Sequence, residues 1–96
     1  MKEKEIIAQI LDGLRKMGAK VVKFHGNQYT ENGNPDIVGV IMGRGLAIEV
    51  KVPGKKPTKI QAKRLMEWSN AGAITFWTSN AEECLAIVAE VITPQK

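Results

Sequence analysis

The sequence has a single cysteine and no long apolar run. Cys84 cannot form an intramolecular disulfide, so nothing indicates secretion, and the apolar residues around it predict a place in the core. No apolar run approaches the roughly 18 residues of a membrane span, and no signal-peptide pattern begins the chain. We therefore expect a cytoplasmic protein that does not enter a membrane.

The composition is that of one small basic domain. With 44% hydrophobic and 25% charged residues, the 96 positions fit a single domain, 1–96, whose modest core would benefit from oligomerisation. The net charge of +4 favours a polyanionic partner. Six positive residues and no acid lie between Lys51 and Arg64. This run could be a solvated lysine-rich face or a phosphate-binding surface, and charge alone does not decide between them.

Apolar periodicity and end signals predict three helices, over residues 3–17, 58–71 and 79–89. Gly18 ends the first of them. The second begins with a T-x-x-Q capping box made by Thr58 and Gln61, and the third with an S-x-x-E box made by Ser79 and Glu82. The segments outside these three helices are rich in β-branched residues, which favour strands.

The remaining apolar segments predict four strands, over residues 19–24, 36–41, 46–52 and 73–78. A polar loop, HGNQYTENGN, follows the first strand, and MGRG between the second and third suits a tight hairpin. The last two strands are joined by a helix, so they should be parallel with a right-handed crossover. We therefore predict an α/β fold with a mixed sheet covered by helices, in the order αβββαβα.

Charged residues interrupt the two central strands. Alternation along residues 46–52 puts Ala47, Glu49 and Lys51 on one face, opposite the apolar residues, so this face should meet something polar. If MGRG forms the hairpin loop, Asp36 lies opposite Lys51 and one diagonal step, about 7 to 8 Å, from Glu49. A shift of one residue would move Asp36 to the other face.

Two carboxylates at this separation repel each other unless a cation joins them. A hard divalent ion such as Mg²⁺ prefers such oxygen ligands, and it could activate a water and offset charge on a phosphodiester, with Lys51 assisting. The alternative is a surface salt-bridge cluster of Asp36, Glu49 and Lys51 on an exposed sheet face.

An acid also lies at the start of the first helix. At 100° per residue, Glu3 projects onto the centre of the apolar arc, while Glu5 projects onto the opposite face. Because a carboxylate at the end of a core-facing stripe needs a partner, either the helix end frays or Glu3 reaches the same site as a third acid.

These residues together resemble the PD-(D/E)XK nuclease signature, and in detail the VRR-NUC (virus-type replication-repair nuclease) family. The matching elements are Glu3 in the first helix, GNPDIVGV at 33–40, AIEVK at 47–51, Gln61, and NAGAITFW at 70–77. The resemblance covers nearly the whole chain. It implies a restriction-endonuclease-like fold and a metal-dependent DNA endonuclease or nickase.

The resemblance also implies roles for single residues. Asp36, Glu49 and the Val50 carbonyl would hold Mg²⁺ or Mn²⁺, and Lys51 would act in catalysis. Gln61 would support the site from its helix, in addition to or instead of its capping role, and Glu3 would be the helix acid.

Partners follow from the same resemblance and from the basic run. Stand-alone members encoded by phages resemble Holliday-junction resolvases, which implies a homodimer acting on branched DNA, inside a bacterial host cell if this chain is phage-encoded. Phosphate contacts are expected from four lysines, Lys55, Lys56, Lys59 and Lys63. The alternatives are a non-catalytic DNA-binding module and a subunit that needs a partner protein.

Overall fold

The computed structural model describes residues 1–27 and 30–94. Its elements are α1 (Glu3–Lys16), β1 (Lys20–Lys23), β2 (Ile37–Ile41), β3 (Arg44–Val50), α2 (Lys59–Asn70), β4 (Ile74–Thr78) and α3 (Ala81–Ile92). The predicted order αβββαβα is confirmed. Every helix in these two ranges is too short or too polar to cross a lipid bilayer.

The four strands form one mixed sheet in the order β1-β2-β3-β4. The three strands β1, β2 and β3 pair antiparallel in sequence order, whereas β3 and β4 are parallel. The parallel pair was predicted, because α2 carries the chain from the end of β3 back to the start of β4.

Both faces of β3 are covered. Leu46, Ile48 and Val50 belong to the main core, which α1 and α3 share with the sheet. The second helix, α2, contacts β3 and β4 and contributes nothing to that core, so it covers the other face. There Ala47 is 0% and Glu49 only 2% exposed. Both residues are therefore covered and not open to solvent, although Glu49 has polar neighbours in Asp36 and Lys51.

The turn between β2 and β3 is centred one residue earlier in the chain than predicted. Met42 and Gly43 form the turn, both with positive φ (50° and 76°), which matches a two-residue type I′ turn. The last two residues of MGRG therefore join β3, and Ile41 pairs with Arg44. The predicted placement of Asp36 opposite Lys51 is wrong by two residues. Since side chains alternate with a period of two, Asp36 still lies on the same side as Glu49.

Local signals define the helix ends. Gly18, with φ of 95°, ends α1 in a Schellman motif, as expected from the sequence. The N-cap of α3 is Asn80, whose Oδ1 accepts a hydrogen bond from Glu83 N at 2.8 Å. The predicted Ser79 capping box is thus wrong by one residue, since Asn caps as well as Ser and β4 extends to Thr78.

Cys84 lies in the core as predicted, with no exposed surface. Its burial, with a smaller effect of the Glu83 charge, raises the pKa of the thiol to about 12. Because the thiolate is the reactive form, Cys84 packs as a small apolar side chain and is chemically inert at neutral pH.

Candidate active site

Asp36 lies directly before β2, next to Ile37, which is the first residue of β2 that pairs with β3. Its backbone carbonyl accepts a hydrogen bond from Phe24 N (2.7 Å), next to β1. Its carboxylate atom Oδ2 accepts a hydrogen bond from Val50 N at 2.8 Å. This side chain therefore replaces the backbone carbonyl that a neighbouring strand would offer to Val50 N in a regular sheet. A cleft of about 490 Å³ opens beside Asp36. The carboxylate is thus fixed in position and accessible.

Glu49 is a buried acid next to Asp36. Burial first, and the negative charge of Asp36 second, raise the pKa of Glu49 from 4.5 to about 8, against the opposing effect of Lys51. A side-chain hydrogen bond with Asp36 and a smaller effect of the Glu3 charge also raise it. Two carboxylates that share a hydrogen bond in a desolvated site create a strong demand for a proton or a cation.

Lys51 partly offsets the negative charge of Asp36 and Glu49. Its Nζ lies 3.7 Å from Glu49 Oε2, and its side chain is 16% exposed. The backbone N–H of Lys51 donates to Thr78 O at 2.9 Å, which ties this residue to β4. The structure therefore brings Asp36, Glu49 and Lys51 together. The burial of Glu49 does not fit the alternative of a solvated surface cluster.

The oxygen atoms of this site suit a divalent cation. Asp36 and Glu49 supply two carboxylates where one lysine is present to offset them, and the Val50 carbonyl is the neighbouring backbone oxygen in β3. Hard cations such as Mg²⁺ bind through one or two carboxylates and complete their shell with other oxygens. These three residues therefore fit Mg²⁺ or Mn²⁺ by the chemistry of their donor atoms.

The structure places Glu3 less directly at the site. Glu3 is half-buried at the start of α1 and acts on Glu49 through its charge. Among residues 1–27 and 30–94, no three His, Cys, Asp or Glu side chains are grouped so that they could hold one metal ion. Glu3 is thus a neighbour of the acidic pair without forming a three-acid cluster with it.

Gln61 makes the predicted capping box. Its Oε1 accepts a hydrogen bond from Thr58 N at 2.9 Å, and its own N–H donates to Thr58 Oγ1 at 3.3 Å. This confirms the capping role of Gln61 and fixes the start of α2. A role in the active site remains a prediction.

The four candidate DNA-binding lysines all lie on the surface. Lys55 follows a turn in which its N–H donates to Val52 O (3.1 Å) around Gly54, whose φ is 90°. The other three are Lys56, Lys59 and Lys63. None of the four forms an ion pair within the part of the chain that the structure describes. The first turn of α2 also contains no acid, so this surface is positive without internal compensation.

Arg64 does not belong to this surface, although it lies in the same basic run. Its side chain is 13% exposed, and it donates from Nε to Asn32 O at 2.9 Å. The sequence analysis missed this contact, which links α2 to the segment before Asp36. The available signal was the helical spacing of Arg64 and Trp68, which puts both on one face of α2.

The chain is an α/β domain with an acidic site at the ends of two central strands, and comparison with solved structures identifies its fold more closely. One matching chain, described as "VRR_NUC domain", has a TM-score of 0.76 and 19% identity over 95% of this chain and 97% of that chain. A second, "VRR_NUC domain protein", has a TM-score of 0.72 and 18% identity over 96% and 88%. No protein-family model and no curated protein matches the sequence. The chain thus has the fold of VRR-NUC domains, as the sequence resemblance implied.

The raised pKa of Glu49 predicts how stability depends on pH when no metal is present. The folded state keeps a proton that the unfolded chain releases above about pH 4.5, so the free energy of unfolding should fall as pH rises from 4.5 to about 8. The slope should be at most about 1.4 kcal/mol per pH unit. Thermal unfolding in EDTA measures it, and Glu49→Gln should flatten the curve. Equal slopes for the two proteins would contradict the raised pKa.

Proposed function

We propose that this protein is a metal-dependent DNA endonuclease that hydrolyses phosphodiester bonds. The observation that carries the proposal is the pairing of buried Glu49 with half-buried Asp36, with Lys51 beside them, at the start of β2 and the end of β3. The fold shared with VRR-NUC domains supports the same reaction.

The chain's own residues have distinct tasks in this proposal. Asp36, Glu49 and the Val50 carbonyl would hold Mg²⁺ or Mn²⁺, which when bound lowers the pKa of an attacking water and offsets charge on the phosphate. Lys51 Nζ, 3.7 Å from Glu49 Oε2, is placed to orient that water or to donate to phosphate oxygens as negative charge develops on them.

Two further residues would support the site from the helices. Gln61 holds the start of α2 through its capping box, and Glu3 adds negative charge near Glu49 from α1. Both roles are consistent with the resemblance to VRR-NUC domains, and both act on the acidic pair without replacing it.

Cleavage of labelled DNA tests the proposal. We expect Mg²⁺- or Mn²⁺-dependent cuts in a panel of four-way junction, flap, nicked, single-stranded and duplex DNA, and none in EDTA. Lys51→Ala should lower the rate about 10²- to 10⁴-fold, the range typical of a lost catalytic side chain. Lys16→Ala is the matched control, since Lys16 is exposed and pairs only with Asp12.

The outcomes separate three functions. Binding of DNA without cleavage under every condition would favour the non-catalytic module or a nuclease that needs a partner protein. Unchanged DNA affinity and activity in Glu49→Gln would favour a partner-binding subunit whose acids form only salt bridges. A fully active Lys51→Ala protein would place the chemistry elsewhere.

The lysine surface should bind DNA through its phosphates. Lys55, Lys56, Lys59 and Lys63 are exposed and form no ion pair among the described residues, so they are suited to sequence-independent contacts. Lys55 and Lys56 lie in the turn after Lys51, and Lys59 and Lys63 lie in the first half of α2. The path of DNA would then run from the acidic pair along α2.

Replacing all four lysines with alanine should reduce the dependence of DNA affinity on salt. Each lost phosphate contact lowers the slope of log K against log salt by about 0.9 for duplex DNA, so a loss of roughly 2 to 4 is expected. Fluorescence anisotropy in EDTA measures binding without cleavage, with Lys16→Ala again as the control. A slope equal to that of the wild-type protein would remove these lysines from the interface.

We also propose that two copies associate through an uncovered part of the sheet. The helix α2 contacts β3 and β4, and several apolar side chains on β1 and β2 remain exposed. Val22, Val40 and Met42 are 45%, 51% and 74% exposed there. The side chains of Val22 and Val40 share one face of the sheet because Val22 pairs with Val38 and residues alternate along β2, and Met42 lies in the turn that follows.

Val22 and Val40 are exposed apolar side chains on neighbouring strands, and burial of such apolar surface favours association. A two-fold dimer would present two sites to two strands, which suits paired cuts in a four-way junction.

A charge in the middle of the apolar face should prevent association. We expect the wild-type protein to be a dimer by light scattering at micromolar concentration and Val40→Lys to be a monomer with an unchanged circular dichroism spectrum. Met66→Lys is the control, because Met66 is 65% exposed on α2, away from β1 and β2. A monomeric wild-type protein would remove most support for the junction-resolving version.

A further inference from the structure

One face of α2 holds the segment that leads into Asp36. Ile60, Arg64 and Trp68 recur at intervals of four residues, which puts their side chains in a row along one side of the helix. The row meets three consecutive residues, Asn32, Gly33 and Asn34. We call these three the NGN segment.

The contacts between the row and the NGN segment are specific. Arg64 Nε donates to Asn32 O at 2.9 Å, and Trp68 Nε1 donates to Asn34 Oδ1 at 3.1 Å. Gly33 has φ of +83°, and a Cβ added there would lie 3.0 Å from Ile60 Cγ1. The positive φ favours glycine, and a Cβ at this position would force Ile60 to shift by a few tenths of an ångström.

Charges hold the guanidinium of Arg64 in place. Its NH1 lies 3.0 Å from Glu67 Oε1 in the same helix and 3.5 Å from Glu31 Oε1. The side chain is 13% exposed, and its two acidic neighbours limit the positions that the guanidinium can take. Such charge-assisted contacts are stronger than those between neutral groups.

Only Pro35 separates the NGN segment from Asp36. Pro35 is buried, and its ring restricts φ, so displacement of Asn34 cannot be absorbed freely before Asp36. The seat of Asp36 consists of its contacts to Phe24 N and Val50 N. A shift of the NGN segment would therefore pull the Asp36 carboxylate away from Val50 N.

We propose that Arg64 and Trp68 are positioning residues that hold the Asp36 carboxylate in its seat through the NGN segment. This inference rests on the proposed function for its consequence in catalysis, but its structural content stands without it. The same helix carries Lys59 and Lys63 on its surface, so one rigid element links the DNA-binding lysines to the metal-binding carboxylate.

Hydrogen exchange of the metal-free protein tests the structural content. Trp68→Phe keeps an aromatic ring and removes the N–H that binds Asn34, and Arg64→Met keeps an aliphatic stem and removes the guanidinium. In both variants we expect the Val50 amide, which donates to Asp36, to exchange at least about tenfold faster. The Lys51 amide, which donates to Thr78 O, should exchange at the wild-type rate. Ser69→Ala, an exposed neighbour on α2, is the control.

Cleavage and metal binding test the catalytic consequence. We expect about 10- to 100-fold weaker Mn²⁺ binding by calorimetry, the range for lost partners of metal ligands, and a matching fall in the cleavage rate at fixed Mn²⁺. DNA affinity in EDTA should not change, because no phosphate contact is removed.

Each outcome is decisive. An unchanged Val50 amide, or equal acceleration of the Val50 and Lys51 amides, would overturn the positioning role, the second case because it reports a global loss of stability. Selective acceleration at Val50 in a wild-type background that cleaves no DNA would uphold the positioning role and reject the nuclease. Selective acceleration with unchanged Mn²⁺ affinity would overturn the link to catalysis.

Discussion

The hydrogen bond from Val50 N to Asp36 Oδ2 is the contact on which the rest of this site depends. In a regular sheet, a backbone amide at this position would bond to the carbonyl of a neighbouring strand. Here the carboxylate of Asp36 accepts that hydrogen bond in place of a carbonyl, which fixes the position of the carboxylate relative to β3. Glu49, one residue before Val50, is thereby brought against Asp36, and the repulsion between them creates the demand for a cation.

Burial gives this repulsion its strength. Helix α2 covers the face of β3 on which Glu49 lies, and removal of water from a carboxylate disfavours its charged form. On an open sheet the same two acids would be solvated and only weakly coupled. The position of α2 therefore contributes as much to the chemistry as the identities of the two acids.

The sequence predicted the fold well because its signals were local. The Thr58–Gln61 capping box, Gly18 after α1 and the parallel β3–β4 pair each follow from a few neighbouring residues or from one connection. The hairpin was less predictable, since MGRG offers glycines at two positions and the observed turn requires Met42 at a positive φ. The error of two residues preserved the shared side of Asp36 and Glu49, so the site survived it.

The parts that sequence reasoning missed depend on contacts between distant segments. Alternation along β3 indicated a polar face, but it could not show that Glu49 is buried. Arg64 read as one of six positive residues, whereas its partner Asn32 lies 32 positions earlier in the chain. The helical spacing of Arg64 and Trp68 indicated that they share one face of α2. Only the structure shows that this face contacts the NGN segment.

The first turn of α2 has a consequence for the energetics of the fold. A helix carries a partial positive charge at its N-terminus, and acids are favoured there, yet α2 begins with Lys59 and has no acid in its first turn. An unfavourable charge at a helix end costs about 0.3 to 1 kcal/mol. The free energy of unfolding of the free protein is therefore lower than it would be with an acid at this position. A phosphate bound there would interact favourably with the same positive charges. Stability alone would favour an acid at position 59, so a lysine there fits the phosphate contact that we propose.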